Sequence, residues 1–229
     1  MVQIQSALSL FAEGFKPAAE GEELKGESKS ERVYNKYNMA KRVFIVHGWG
    51  GNPNVGWFVW LKKELSSKGF KVYSPEMPDS DNPAIEPWVN HLKEVVGKTD
   101  KNTYFVGHSI GCQAIMRLIE GLPDKSEVGG AVFVAGFFDL VGLETEEERK
   151  VAEPWLKTKI DLDKVKGRVR NIVAIFSNND PFVPVSNAAL FKDKLGAKTI
   201  MENGKGHYIE YETNGIPVLL EEILRISKQ

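Results

Sequence analysis

Cysteine is nearly absent from this sequence of 229 residues, because only Cys112 carries a thiol. A single thiol excludes an intrachain disulfide and a cysteine-based zinc site. No apolar run reaches the roughly 18 residues of a membrane-spanning helix, and the first residues lack the basic start and apolar core of a secretory signal. Neither sign of charge prevails, with 30 basic and 31 acidic side chains. We therefore expect a cytoplasmic protein that binds no metal, membrane or nucleic acid.

The chain divides into two parts of different composition. Residues 1–38 include a stretch rich in Lys, Glu, Ser and Gly, which has little periodicity and too little apolar surface to fold alone. We predict a polar N-terminal extension there, either disordered or the product of a misassigned start. Residues 39–229 are long enough for one domain whose core needs no disulfide or metal. The sequence leaves the oligomeric state open.

Within residues 39–229, short apolar segments alternate with segments of helical periodicity. The predicted strands are Val43–Val46, Phe70–Ser74, Thr103–Val106, Val128–Val134, Asn171–Phe176 and Lys198–Met201. The predicted helices are Trp57–Lys68, Ile85–Val96, Cys112–Ile119, Ala188–Leu195 and Ile216–Ile226. This alternation predicts an α/β fold with a mostly parallel central sheet and helices on both faces. Ligands of such sheets bind beyond the carboxyl ends of the strands, so the loops there are the place to look for a site.

The third predicted strand runs into Gly107-His108-Ser109-Ile110-Gly111 and then into a helix. A G-x-S-x-G pattern between a strand and a helix is typical of a nucleophile elbow, a strained turn that exposes a serine hydroxyl. Side chains at positions 107 and 111 would collide with neighbouring backbone, which explains both glycines. Ser109 is therefore the predicted nucleophile.

A serine nucleophile needs a base, and in α/β hydrolases an acid and then a histidine follow the serine along the chain. His207 is the only histidine after Ser109, and it lies in a glycine-containing loop before the last predicted helix. Asp180 and Asp139 each follow a predicted strand between those positions. We favour Asp180, because its strand neighbours the one that leads to His207. The predicted triad is Ser109, Asp180 and His207.

The first predicted strand ends in His47-Gly48-Trp49-Gly50-Gly51, where the α/β-hydrolase fold has its other oxyanion loop. We predict the backbone N–H groups of Trp49 and Ile110 as the oxyanion donors. A phosphate cradle is excluded, because neither glycine-rich nucleotide-binding pattern is present. The candidate substrate contacts are His47, Trp57, Phe137 and Phe182. The competing interpretation is a place in the core for the aromatic residues and a loop anchor for His47.

The chain resembles the YdeN-like small serine hydrolases, the retinoblastoma-binding protein 9 group of the α/β-hydrolase superfamily. The matching stretches are Val43–Trp49, Trp57–Leu61, Met77-Pro78, Gly107–Cys112, Val134–Phe137, Asn179–Pro184 and Gly204–His207. The resemblance implies an α/β-hydrolase fold without a large lid domain, an activity without a cofactor, and a triad at Ser109, Asp180 and His207. Residues 1–38 have no counterpart in it, and Gly142–Arg168 is the expected place for a small cap that shapes specificity.

The function predicted from these residues is hydrolysis of small esters, thioesters or activated amides through an acyl-enzyme. Two alternatives stay open at this point. One is a non-catalytic binding protein on the same fold, and the other is an acyltransferase or perhydrolase that uses the same triad.

Overall fold

A computed structural model of the chain describes residues 40–209 and 211–228. The extension predicted for residues 1–38 lies outside the described residues. The strands are β1 (Arg42–Val46), β2 (Lys71–Tyr73), β3 (Thr103–His108), β4 (Gly130–Val134), β5 (Ile172–Ser177) and β6 (Lys198–Glu202). The helices are α1 (Gly56–Ser67), α2 (Ile85–Val96), α3 (Ile110–Glu120), α4 (Glu146–Lys157), α5 (Leu162–Arg168), α6 (Ser186–Leu195) and α7 (Pro217–Ile226).

The six strands form one sheet in the order β2-β1-β3-β4-β5-β6. Every neighbouring pair is parallel, from the β1–β2 pair to the β5–β6 pair. Strands β3, β4 and β5 are buried along their whole length, as expected where helices cover both faces of a parallel sheet. The predicted α/β architecture with a mostly parallel sheet is confirmed.

The direction in which the chain winds changes at β1. Right-handed crossovers place α1, which leads from β1 to β2, on one face and the helices that lead the other way on the opposite face. The contacts agree, since α1 packs against α7, whereas α2 packs against α3, α3 against α5, and α5 against α6. The reversal leaves a crevice between the carboxyl ends of β1 and β3, where ligands of such sheets bind.

The segment Gly142–Arg168, the expected place for a small cap, contains the helices α4 and α5, which the sequence analysis did not predict. Helix α4 begins with a capping box, in which Thr145 Oγ1 accepts from the N–H of Glu148 (3.1 Å) and Glu148 Oε2 accepts from the N–H of Thr145 (2.8 Å). Ala152 and Trp155 are its only buried side chains, so this helix, which follows β4 and precedes β5 along the chain, lies on the surface. The described residues contain no lid domain, and none of their helices has the length and apolar character to cross a membrane.

Candidate active site

Ser109 lies at the tip of the turn between β3 and α3. Its φ of +51° falls in the left-handed region, which residues other than glycine rarely adopt without strain. The two glycines of the turn are required sterically: a Cβ on Gly107 would lie 2.9 Å from the Cα of Cys112, and one on Gly111 would lie 2.5 Å from the carbonyl oxygen of His47. The collisions expected at both glycines are therefore present, and the turn aims the serine side chain out of the sheet.

His207 lies between the hydroxyl and a carboxylate. Its Nε2 is 2.9 Å from Ser109 Oγ, and its Nδ1 is 2.8 Å from Asp180 Oδ2. A carboxylate only accepts hydrogen bonds, so we assign the imidazole proton to Nδ1, which leaves Nε2 free to accept the hydroxyl proton of Ser109. The side chains of His207 and Asp180 are 9% and 2% exposed, and in so dry a place their charge interactions are stronger than in water.

Asp180 is itself held by its own turn. Its Oδ1 accepts from the backbone N–H groups of Phe182 (2.9 Å) and Val183 (3.0 Å), which leaves Oδ2 for the imidazole. The competing Asp139 is exposed, and its backbone N–H donates to Asn187 Oδ1 at 3.2 Å. The structure therefore brings Asp180, and not Asp139, against His207.

The turn after β5 holds the histidine loop through a series of hydrogen bonds, here called the polar ladder (residues 177–180 with 204–207). The side chains of Asn178, Ser177 and Asn179 accept, each at 2.9 Å, from the backbone N–H groups of Gly204, Lys205 and Gly206 in that order. The Ser177 hydroxyl also donates to Asn179 Oδ1 at 2.8 Å. The contact between Asp180 and His207 is the last step of the same series, so the ladder fixes where the imidazole lies. Sequence reasoning did not find these three polar residues.

Two buried aromatic side chains support the histidine loop from below. Trp57 Nε1 donates to the carbonyl oxygen of Tyr208 at 2.9 Å, and Tyr208, at a φ of +55°, donates its own hydroxyl to the carbonyl oxygen of Phe176 at 3.0 Å. His108 Nε2 lies 2.8 Å from the carbonyl oxygen of His207. Burial, and then repulsion by His207, lower the pKa of His108 to about 3, so this imidazole is neutral and donates from Nε2.

The loop after β1 passes directly against the elbow. A Cβ added to Gly48 would lie 3.2 Å from the Cβ of Ser109, so the next residue, Trp49, has its backbone beside the nucleophile. The loop is shaped by hydrogen bonds from the N–H of Gly50 to the carbonyl oxygen of Ser80 (2.7 Å) and from Trp49 Nε1 to that of Asp81 (2.8 Å). On the other side of Ser109, Ile110 begins α3, and the first N–H groups of a helix have no acceptor within it.

A cavity of about 300 Å³ opens over the serine. Its walls are mostly apolar side chains, together with the serine, two histidines and one carboxylate. The lining residues are Trp49, Gly50, His108, Ser109, Leu140, Leu143, Glu148, Phe182, His207 and Ile209. Leu140, Leu143, Glu148 and Ile209 were not predicted from the sequence, although Thr145-x-x-Glu148 is a capping-box pattern that marks the start of a helix there.

Of the four predicted substrate contacts, only Phe182 lines the cavity. His47, Trp57 and Phe137 are 0%, 0% and 1% exposed, so we revise the prediction for these three. Trp57 lies under the histidine loop. His47 anchors its own loop, because its Nε2 accepts from the N–H of Met77 at 3.0 Å and its Nδ1 lies 2.8 Å from the carbonyl oxygen of Gly48.

Residues 43–215 match the family model described as serine hydrolase. The chain belongs to the serine hydrolase family. It is 29% identical to YdeN of Bacillus subtilis (strain 168) over 174 residues, 76% of this chain and 89% of that protein. It is 27% identical to the serine hydrolase RBBP9 of Rattus norvegicus over 191 residues, 82% of this chain and 94% of that protein.

The crystal structure of the ydeN gene product from B. subtilis superposes with a TM-score of 0.75 at 27% identity, covering 83% of this chain and all of that one. The resemblance to the YdeN-like small serine hydrolases and the α/β-hydrolase fold are thereby confirmed, and the protein is an enzyme of the serine hydrolase class. Among the described residues, no group of three or more His, Cys, Asp or Glu side chains is placed to hold a metal ion.

Proposed function

We propose that the protein is an esterase-like hydrolase that cleaves small esters, thioesters or activated amides through a Ser109 acyl-enzyme. One observation carries the proposal, the continuous contact from Ser109 Oγ through the imidazole of His207 to Asp180, with steps of 2.9 and 2.8 Å. A serine hydroxyl is a weak nucleophile unless a base within hydrogen-bonding reach takes its proton. His207 has both that reach and a carboxylate that stabilises the imidazolium.

The reaction proceeds in two acyl transfers. In the first, Ser109 Oγ attacks the carbonyl carbon while His207 Nε2 takes the hydroxyl proton, and His207 then passes that proton to the leaving group. The backbone N–H groups of Trp49 and Ile110 hold the oxyanion, a contribution of about 3 kcal/mol for each donor in comparable sites. In the second transfer, His207 takes a proton from water, the hydroxide attacks the acyl-enzyme, and the acid leaves as Ser109 recovers its proton.

The size of the cavity supports small substrates. A volume of about 300 Å³ is at the lower end for ligand sites, which span roughly 300–1,000 Å³. Leu140, Leu143, Phe182 and Ile209 provide apolar contacts, so an acyl chain of a few carbons would lose water-exposed area on binding. Every step of the reaction uses a side chain or a backbone group of this chain.

Hydrolysis of p-nitrophenyl esters of short acids tests the proposal. We expect turnover by the wild-type protein and a fall in kcat of about 10⁴-fold or more in Ser109→Ala. Ser66→Ala, which alters an exposed serine on α1, is the matched control and should keep full activity. A folded wild-type protein that releases no p-nitrophenol from any ester would contradict the proposal and favour a binding protein. Transfer of the acyl group to added alcohol or peroxide in preference to water would favour the acyltransferase or perhydrolase alternative.

The cytoplasmic location and the division of the chain after residue 38 stay predictions. Fractionation of the source cells tests the first, and recovery of the protein outside the cytoplasmic fraction would contradict it. Expression of residues 39–229 tests the second, since we expect this part to fold and to keep the activity of the full chain.

A further inference from the structure

One charged side chain stands out among the cavity walls. Glu148 is the only carboxylate that lines the cavity among the described residues, and no lysine or arginine lines it. The imidazole of His108 is neutral because its pKa is lowered to about 3. The negative charge at Glu148 therefore has no cationic counterpart in the cavity wall.

The Glu148 carboxylate is both fixed and ionised. Its Oε2 accepts from the backbone N–H groups of Glu144 (2.7 Å) and Thr145 (2.8 Å), which holds the side chain in one place. The hydrogen bond from the Thr145 backbone is the main reason why the pKa of this carboxyl lies below its usual range. The charge of the neighbouring Arg149 contributes to the same lowering of the pKa, but its guanidinium donates to the carbonyl oxygens of Leu143 (2.7 Å) and Glu144 (3.1 Å), and it does not line the cavity.

We propose that Glu148 is a specificity-determining residue that selects substrates by charge, favouring cationic over anionic groups. The inference rests on the proposed function, because it takes the cavity over Ser109 as the substrate site. Glu148 is half-exposed, and even at the dielectric constant of water a charged substrate group about 4 Å from it interacts strongly enough to change binding several-fold. A carboxylate on the substrate meets repulsion there, which is a common basis of discrimination between ligands of similar shape.

Glu148→Gln removes the charge and keeps the acceptor oxygen. A capping box accepts either Glu or Gln at this position, so the start of α4 is retained, which a thermal melt verifies. Glu147→Gln is the matched control, because it removes an equal charge from the same turn of α4 at an exposed residue outside the cavity. Any long-range effect of the net charge would appear equally in both variants.

Three p-nitrophenyl esters serve as probes. Their acyl chains have equal length and end in a tert-butyl, a trimethylammonium or a carboxylate group. A second set carries the same three groups on the phenol of an acetate ester and probes the leaving-group side. The readout is kcat/KM for each charged ester divided by that for the neutral one. Comparing this ratio between variant and wild type cancels the intrinsic reactivity of each ester.

In at least one of the two sets, Glu148→Gln should lower the cation-to-neutral ratio and raise the anion-to-neutral ratio by about 3-fold to 10-fold. Glu147→Gln should change either ratio by less than about 2-fold. In 1 M salt the preference of the wild type should shrink, because the screening length falls to about 3 Å. An equal fold-change in kcat/KM for all three esters in both sets would overturn charge selection. Equal shifts of the charged-to-neutral ratios in Glu148→Gln and Glu147→Gln would do the same. The proposed function would still stand if the neutral ester is hydrolysed in a Ser109-dependent way, whereas activity retained in Ser109→Ala would overturn that function instead.

Discussion

Replacing Asp180 by Asn isolates the electronic role of the carboxylate from its structural role. In the structure, Oδ1 accepts two backbone N–H groups at 2.9 and 3.0 Å, and Oδ2 faces His207 Nδ1 at 2.8 Å. The amide oxygen of Asn would keep the two backbone bonds, which turns its NH₂ group toward Nδ1. A donor at this position makes Nδ1 an acceptor and moves the imidazole proton to Nε2, where it prevents removal of the Ser109 proton.

The expected loss is large in rate and small in stability. The same exchange in the triad of a serine protease lowers kcat by about 10⁴-fold, which corresponds to about 5.5 kcal/mol of activation free energy. We expect a fall of about 10³-fold to 10⁴-fold in kcat here, with KM nearly unchanged because Asp180 does not line the cavity. Asp180→Ala is a less informative variant, since it leaves two backbone N–H groups without their acceptor, at about 1–3 kcal/mol each where they are buried.

Steady-state hydrolysis of a neutral p-nitrophenyl ester measures the loss in kcat, and a thermal melt of each variant measures the loss in stability. Asp139→Asn is the matched control, because it makes the same exchange at the competing aspartate, which is exposed. We expect it to keep activity within about 2-fold of the wild type. A folded Asp180→Asn protein that retains more than about a tenth of the activity would refute the reasoning, and so would an equal loss in Asp139→Asn.

The polar ladder, the elbow and the buried imidazole each predict a further outcome. Asn179→Ala removes the acceptor of the hydrogen bond from the N–H of Gly206 in the polar ladder, and we expect kcat to fall about 10-fold with KM changed less. Equal fold-changes in kcat and KM would contradict a positioning role. Gly111→Ala places a Cβ 2.5 Å from a backbone oxygen, whereas Gly167→Ala meets nothing within 4 Å, so thermal melting should show a severe loss for the first and none for the second. His108 has a pKa of about 3 in the folded protein, against about 6.5 when unfolded. Between these values only the unfolded state binds the proton, so stability falls as pH is lowered through this window, by at most about 1.4 kcal/mol per pH unit. Urea unfolding of His108→Gln should show a shallower fall there, and parallel curves would contradict this account.

The contact of Ser109, His207 and Asp180, the proposed triad, could be predicted because each residue carries a local signal. Gly107 and Gly111 mark the strained turn around Ser109, and the chain order of α/β hydrolases restricts the base to His207. The parallel sheet then brings the loops after β1, β3, β5 and β6 to one edge, so residues distant in sequence meet there. The choice between Asp180 and Asp139 depended on which strand neighbours the histidine loop, and the sheet order agrees with that inference.

The cavity walls could not be predicted, because their composition does not distinguish them from the core. Trp57 follows the loop after β1 and Phe137 follows β4 in sequence, yet both are buried, since large apolar side chains gain most free energy by full burial. Leu143 and Glu148 reach the cavity because the start of α4 and the residues before it lie beside Ser109 and His207 in the folded chain, and no local pattern indicates this proximity. Helix α4 was itself missed, because most of its side chains are polar or charged and only Ala152 and Trp155 are buried.

Mass spectrometry of the protein after reaction with a fluorophosphonate tests the central claim most directly, since this reagent modifies a serine that a neighbouring base activates. We predict one label per chain, on the peptide that contains Ser109, and no labelling in Ser109→Ala or after denaturation. A label on another residue, or a folded wild-type protein that takes up no label, would contradict the claim that Ser109, His207 and Asp180 act as a catalytic triad.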